Sequence, residues 1–382
     1  MKLNDIYEFD LFIDNLNIFE TPGVVFGGAE IFEAIANPLP VCELDMSIPV
    51  GWLDGRTIVD GTLIRFHLKS DHFKLDSNYD FRIFNIERIQ VNQKFAQVKI
   101  NGIIDSYTGY TTGNKYNACM NSSEMFTTIG SALGLTPEVD KTNDKQLWVA
   151  GENNTYEFLN KIAQNGWIDE TSGMIWFIDR DKRLIYKNLT SLFRQRQEKI
   201  YKFVQSASVD PEDKQYGYTS IEGSIQSGTN NLRNGGYGGK DPYFDLLSYS
   251  YKQADSKKVI AESRLINISK ELSKGLNTSW FPFDVGNFHK QYYNAYKQNK
   301  RILSTYSSYL VLESQFFQPY RLGQIVDIDY IDSQTEDNKV TSLTGCYMID
   351  AIHTKITMAS ITAIVELMAQ GLNGTPLTRE VY

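Results

Sequence analysis

The hydrophobic spacing along this chain switches twice, from two residues to a helical period and back, and that restricts the fold more than any other property. Up to about residue 106 the spacing is two. Thr62, Ile64, Phe66 and Leu68 alternate with Leu63, Arg65, His67 and Lys69, as on a half-buried strand. Pro38, Pro40, Pro49, Gly51, Gly55 and Gly61 punctuate the stretch before it, and the runs 81–91 and 95–104 flank Asn92-Gln93-Lys94 as the arms of a hairpin. After Gly113 the grammar becomes helical. Asn121-Ser122-Ser123-Glu124 has the form of a capping box, with Met125, Ile129, Ala132 and Leu133 on one face and Gly134 as the stop. Asn154-Thr155-Tyr156-Glu157 repeats it, with Leu159, Ile162 and Ala163 as the stripe and Asn165-Gly166 as the stop. A hairpin follows, 174–178 and 183–186 around Asp179-Arg180-Asp181-Lys182.

Beyond residue 206 the chain returns to strands, with two interruptions. Residues 222–242 hold six glycines and read as a loop. Two helices are expected within about 255–305. Asp255 caps the first, with Ala261, Leu265, Ile268 and Leu272 inward and Gly275 at its end; Asn287 caps the second, with Phe288, Tyr292, Ala295 and Ile302 inward. Val326, Ile328 and Tyr330 then alternate with Asp327 and Asp329, and Ile361, Ala363, Val365 and Leu367 with Thr362, Glu366 and Met368, Ile364 breaking the polar side. The expected fold is mainly β: two small antiparallel β-barrels, 1–108 and 207–382, separated by an inserted α+β domain at 109–206. A length of 382 residues agrees with several domains. No period of 20 to 50 residues recurs, which excludes a solenoid or propeller.

Composition narrows the function. The net charge of −8 argues against ordinary nucleic-acid binding, which needs cations to displace phosphate counterions. The 23 Tyr, 21 Phe and 5 Trp suit strands, and the excess suggests subunit interfaces. No apolar run approaches the roughly 20 residues of a membrane span, and the N-terminus has no signal-peptide h-region. Cys42, Cys119 and Cys346 are too scattered for a disulfide framework or zinc module, which points to a reducing cytosol.

Motifs for catalysis fail on detail. Gly235-Gly236-Tyr237-Gly238-Gly239-Lys240 is followed by Asp241 where a phosphate loop needs Ser or Thr. His67 and His72 lie near Asp71 without a further ligand, and His289 and His353 are isolated; all four read as surface or edge histidines. Asp179 and Asp181 flank a hairpin tip, where Asp bonds its own backbone. Neither a nucleophile elbow nor a zincin or EF-hand pattern occurs. No catalytic residue, cofactor or metal is expected.

Two stretches go beyond generic patterning. One places Phe158-Leu159 on a helix, Gly166-Trp167 after it, then Trp176 in the first strand of the hairpin. The other runs from Phe317-Gln318-Pro319-Tyr320-Arg321-Leu322-Gly323 to Tyr347 and His353, then to the Thr-containing strand 361–367. Together they resemble the hub proteins of contractile-tail baseplates, the late-control D family and the hub half of type VI secretion spikes. The marker positions are Phe158, Leu159, Gly166, Trp176, Pro319, Gly323, Tyr347 and His353. The type VI members continue into a β-helical spike; this sequence ends at Tyr382 without one, which favours a phage-type hub with a separate spike. The resemblance implies tail-tube-like barrels in a homotrimer that joins a hexameric tail tube, or its initiator, to a trimeric spike among other baseplate proteins. It implies a virion location after assembly in the host cytoplasm, and passage of double-stranded DNA without specific binding. An acidic channel follows, for which the strand acids Asp327 and Asp329 are candidates. The alternatives are the hub of a bacterial contractile injection or secretion system and a cell-wall hydrolase with an unrecognised carboxylate pair.

Overall fold

In a computed structural model of the chain the described period-two segments are strands, and the two capped segments after residue 113 are helices at Ser122–Ala132 and Thr155–Asn165. Described are residues 1–3, 6–53, 55, 58–90, 93–110, 116–169, 172–194, 201–205, 214–225, 239–245, 249–256, 277–278, 292–328 and 344–370. The first unit contributes β1 (Lys2–Leu3), β2 (Tyr7–Ile13), β3 (Leu16–Asn17), β4 (Val25–Ala34), β5 (Val41–Pro49), β6 (Leu63–Ser70), β7 (Leu75–Gln90) and β8 (Phe95–Ile104). They pair in the order β1-β2-β6-β7-β8-β5-β4, antiparallel throughout, with β3 on β2. Alternation decides the faces: Cys42, Leu44, Met46 and Ile48 of β5 are buried, while Glu43 and Asp45 point away. The β7–β8 register slips between Ile83 and Asn85, leaving Phe84 on a bulge with 52% of its surface exposed.

The insertion contains β9 (Asn117–Met120), α1 (Ser122–Ala132), β10 (Thr136–Val139), β11 (Gln146–Val149), α2 (Thr155–Asn165), β12 (Met174–Ile178), β13 (Arg183–Asn188) and α3 (Leu189–Arg194). Both expected capping acids work. The Asn121 N–H donates to Glu124 Oε2 at 2.9 Å, and the Asn154 N–H to Glu157 Oε2 at 3.0 Å. Gly134 ends α1 at φ +72°, the left-handed position a glycine tolerates. β12 and β13 form the expected hairpin, with β10 parallel to β13. Phe126, Ile129, Leu159, Ile162, Trp176 and Tyr186 build this unit's core, which Leu39 and Ile104 of the first unit enter.

The last unit has β14 (Tyr201–Gln205), β15 (Gln215–Tyr218), β16 (Ser220–Ile225), β17 (Gly239–Asp245), β18 (Ser250–Ser256), β19 (Asn277–Thr278), α4 (Tyr292–Thr305), β20 (Tyr306–Ser314), β21 (Ile325–Ile328), β22 (Gly345–Ile356) and β23 (Ile361–Gln370). Its part of the large sheet is antiparallel except at β14, which runs parallel to both β15 and β21, and β18-β17-β19 form a separate sheet in which β17 and β19 are parallel. Three expectations shift. The glycine-rich stretch is strand at both ends, since Glu222–Ile225 pair with β20 and Gly239–Pro242 with β18; 226–238 lie outside the described residues. Asp255 belongs to β18 opposite Lys240 rather than capping a helix, and its helical stripe lies outside the described residues. The second helix exists as α4 with Ala295 and Ile302 buried, while Asn287, Phe288, Asp329 and Tyr330 also fall outside.

One strand joins everything. On one edge β22 pairs with β21 along Gly345–Met348 and then with β4 along Ala351–Ile356, while its other edge pairs with β23. The two curled β units therefore share a single 15-stranded sheet and a continuous core. Tyr7, Tyr79, Tyr320, Tyr347, Phe9, Phe66 and Phe81 are fully buried in that core. Many of the described aromatics are thus interior, while Phe84, Phe95, Tyr110, Tyr249, Tyr251 and Tyr296 are exposed. Sharply curved sheets leave gaps that large rings fill.

Candidate functional site: a charged junction and an acidic sheet face

The insertion reaches the shared sheet through the tip of its β12–β13 hairpin. Asp179 Oδ1 accepts from the backbone N–H of Asp181 and of Arg183, both at 3.0 Å, and Lys182 takes φ 56°. That is the expected turn chemistry. The tip also carries a charge for each neighbour. Arg180 is buried: its Nη2 donates to the buried Glu33 of β4 at 2.8 Å, and its guanidinium lies 5.3 Å from the Tyr79 ring and 5.1 Å from the Phe317 ring. Lys182 Nζ donates to Asp80 at 3.1 Å and Asp105 at 3.2 Å in the first unit. Arg321 of the last unit pairs with Asp181. Burial pushes the Glu33 carboxyl up, against the pull of Arg180; burial also opposes the charge on Arg180, but Glu33, Tyr79, Asp179 and Asp181 together outweigh it and the guanidinium is held charged. Because arginine does not give up its proton, the pair stands as an ion pair.

The marker residues divide between this junction and the cores. Phe158 and Leu159 are buried on α2. Gly166 has φ −68°, so no left-handed turn requires it; a Cβ there would lie 1.9 Å from the Tyr186 hydroxyl. Trp176 Nε1 donates to Asn160 Oδ1 at 2.8 Å. The Pro319 carbonyl accepts from the Tyr216 hydroxyl at 3.2 Å, and Gly323, at φ +74°, donates its N–H to Ile349 O at 2.9 Å. Tyr347 is buried beside them, paired with Val326. His353 lies on the β4–β22 seam: its Nε2 is 2.9 Å from Glu30 Oε2, its ring meets Phe32 edge-on, and Lys355 Nζ also reaches Glu30 at 3.3 Å. Burial works against ionised Glu30, yet the bonds from His353 and Lys355 hold its carboxyl below the usual range.

The seam crosses the middle of an eight-stranded run, β7-β8-β5-β4-β22-β23-β20-β16. One face of the run is core. On the other, register aligns Glu87 with Lys99, Lys99 with Asp45, Glu43 with Glu30, and Glu30 with Lys355. Beyond the seam Glu366, Glu222 and Glu313 continue the same face. Among the described residues seven acids thus share this face, against Lys99, Lys355 and His353. Asp350, on the bulge of β22, has its carboxyl pushed up to about 6 by burial and by Glu366. Asp327, one of the two acids expected to line a channel, lies on β21 and accepts from Cys346 Sγ at 2.7 Å; Asp329 lies outside the described residues.

Sequence reasoning missed Arg180, Glu33 and Asn299. The first had a signal, since a hairpin tip reading Asp-Arg-Asp-Lys-Arg carries more charge than a turn needs. Asn299 of α4 had none: its Nδ2 donates to the carbonyls of Gln164 and Gly166 and its Oδ1 accepts from Met174 N–H. His67 sits 2.9 Å from Asp76, and His72 packs on Phe73; His289 lies outside the described residues. Among the described residues no three His, Cys, Asp or Glu side chains converge on a metal-sized position.

No protein-family model and no curated protein matches the sequence. Solved structures do match the fold over almost its whole length. The 43 kDa tail protein of prophage MuSo2 from Shewanella oneidensis superposes with TM-score 0.59 at 9% identity, covering 94% of this chain and 98% of that one. A tail protein from Neisseria meningitidis MC58 gives 0.55 at 7% identity, over 96% and 97%. The Escherichia coli c3393 protein, a type VI secretion component described as similar to the T4 tail proteins gp27 and gp5, gives 0.51 at 10% identity, over 97% and 81%. The fold is that of phage tail proteins and type VI hubs.

Proposed function

We propose that this chain is a structural, non-catalytic hub of a phage tail baseplate, three copies of which form a ring between the tail tube and a separate spike and line part of the DNA path. The observation that carries this reading is the acidic face of the eight-stranded run. A wall that passes duplex DNA must not hold it, because every Lys–phosphate contact adds salt-sensitive affinity. Seven acids against two lysines and a histidine repel the polymer at the range that matters, about 8 Å at physiological salt. Within this reading the eight marker residues hold the wall in shape rather than act chemically: Phe158, Leu159, Gly166 and Trp176 build the insertion, Pro319, Gly323 and Tyr347 close the last unit, and His353 clamps the seam.

The test combines light scattering with DNA binding. A trimer that leaves duplex DNA free at physiological salt is expected, and substituting Glu43, Asp45 and Glu366 by Lys should create binding that falls steeply with added salt. Tight duplex binding by the unaltered protein, or turnover of peptidoglycan, would overturn the reading. The likeness to the type VI component c3393 favours, as second reading, the hub of a bacterial injection machine that carries no genome. Co-purification with DNA-filled particles separates the two.

A further inference from the structure

We infer that Asp350 and Glu366 form a proton-controlled joint between the two β units: with a proton on the pair the passage of β22 from β21 to β4 stays closed, and with both carboxyls ionised it opens locally. The joint is a single step along one strand edge. Up to Ile349 that edge of β22 belongs to the last unit: the Gly323 N–H donates to the Ile349 carbonyl and the Ile349 N–H to the Gln324 carbonyl, both at 2.9 Å. From Asp350 onward it belongs to the first unit: the Ile35 N–H donates to the Asp350 carbonyl at 2.9 Å, and Ala351 pairs with Ala34. Consecutive residues of a regular strand turn their carbonyls to opposite edges. Here Ile349 and Asp350 turn theirs to the same edge, and on the other edge the β22–β23 register slips between Ile349 and Ala351. Asp350 is therefore the extra residue of a bulge, without a register partner on β23 at the point where the neighbour of β22 changes.

The side chain at this step meets like charge. β23 presents Glu366, opposite Ala351, and β20 presents the half-buried phenol of Tyr309. One strand further, Glu222 of β16 shares a register row with Glu366 through Val311. The segment after β4 brings Ile35 and the turn before β21 brings Gln324, both uncharged. Cations on the flanking elements are taken: His353 and Lys355 by Glu30, Arg321 by Asp181, and Arg180 by Glu33. Two neighbouring carboxyls in a half-buried place, with no cation between them, resist ionising together. In agreement, burial and then Glu366 push Asp350 up to about 6, and burial with both acids pushes the Tyr309 phenol up. The joint lies within one chain, whatever assembly that chain enters.

Opening the joint would return Asp350 to water and to an ordinary carboxyl. A carboxyl whose pKa is raised in the closed form favours opening once ionised, so the joint holds at acid pH and loosens as pH rises from about 4 to about 6. The Ile35 amide reports this directly, because its hydrogen bond goes to Asp350 itself. The test is residue-resolved hydrogen exchange on the full chain, corrected for the intrinsic exchange rate. Ile35 should exchange ahead of the β6 amides, which wait for the whole fold to open. It should open ~10-fold more often at pH 7.5 than at pH 5, the ratio that a pKa of about 6 against an ordinary ~3.9 allows. Asp350→Asn should keep Ile35 at its slow rate at both pH values. Glu366→Gln should move the midpoint of the profile to lower pH, because the like charge is gone. Three results would each overturn the joint: Ile35 opening equally often at both pH values, Ile35 exchanging no faster than β6, or a pH dependence that survives Asp350→Asn.

Discussion

Removing the Arg180 guanidinium is the sharpest probe of how the three units are held together. Its partner Glu33 is almost fully buried, so Arg180→Ala leaves a carboxylate with no compensating charge where water cannot reach it. Breaking a buried pair in this way costs ~3–5 kcal/mol, and the lost contacts with the Tyr79 and Phe317 rings add ~0.5–2 kcal/mol. Against a total of ~5–15 kcal/mol for a folded domain, the midpoint of urea unfolding, followed by far-ultraviolet circular dichroism, should fall markedly. The pH dependence identifies the cause. Burial already raises Glu33, and without Arg180 it rises further above its unfolded value. A raised carboxylate destabilises the fold when ionised, so the deficit relative to the unaltered protein should be larger at pH 8 and shrink as pH falls through the raised pKa toward ~4.3. Replacing both partners with apolar residues, Arg180→Met with Glu33→Leu, should recover most of the loss. A deficit below ~1 kcal/mol at pH 8, or one that grows on acidification, would refute the reasoning.

Gly166→Ala drives a methyl into the Tyr186 hydroxyl and should cost ~1–3 kcal/mol in urea unfolding, more than glycine-to-alanine changes at open positions such as Gly55. Asn299→Ala strands the Met174 N–H and the α2-terminal carbonyls, and should cost ~1–3 kcal/mol in the same assay, with faster amide exchange at Met174. Asp350, whose folded pKa of about 6 exceeds its unfolded value, destabilises the fold when ionised; stability should therefore fall as pH rises between about 4 and 6. Asp350→Asn should flatten that slope and raise the melting temperature at pH 7.5.

How far the chain could be read without its structure depended on whether a feature is local. Helix α1 and helix α2 were legible because Asn121 and Asn154, with acids three residues on, satisfy helix N-termini by themselves. The β12–β13 hairpin and the strands 63–70 and 95–104 were legible for the same reason: alternation and turn residues act within one segment. Asp255 misled because a capping residue in isolation is also a tolerable strand residue, and pairing with β17 decided between them. What reached across the chain was not legible. The ion pair of Glu33 with Arg180 and the clamp of Glu30 with His353 join residues far apart in sequence, and no spacing rule brings them together. The acidic face is the plainest case. Its members alternate with core residues on strands from both units, and their charges became one surface only when β22 paired with β4, because hydrogen-bond register, rather than composition, chooses which side chains share a face.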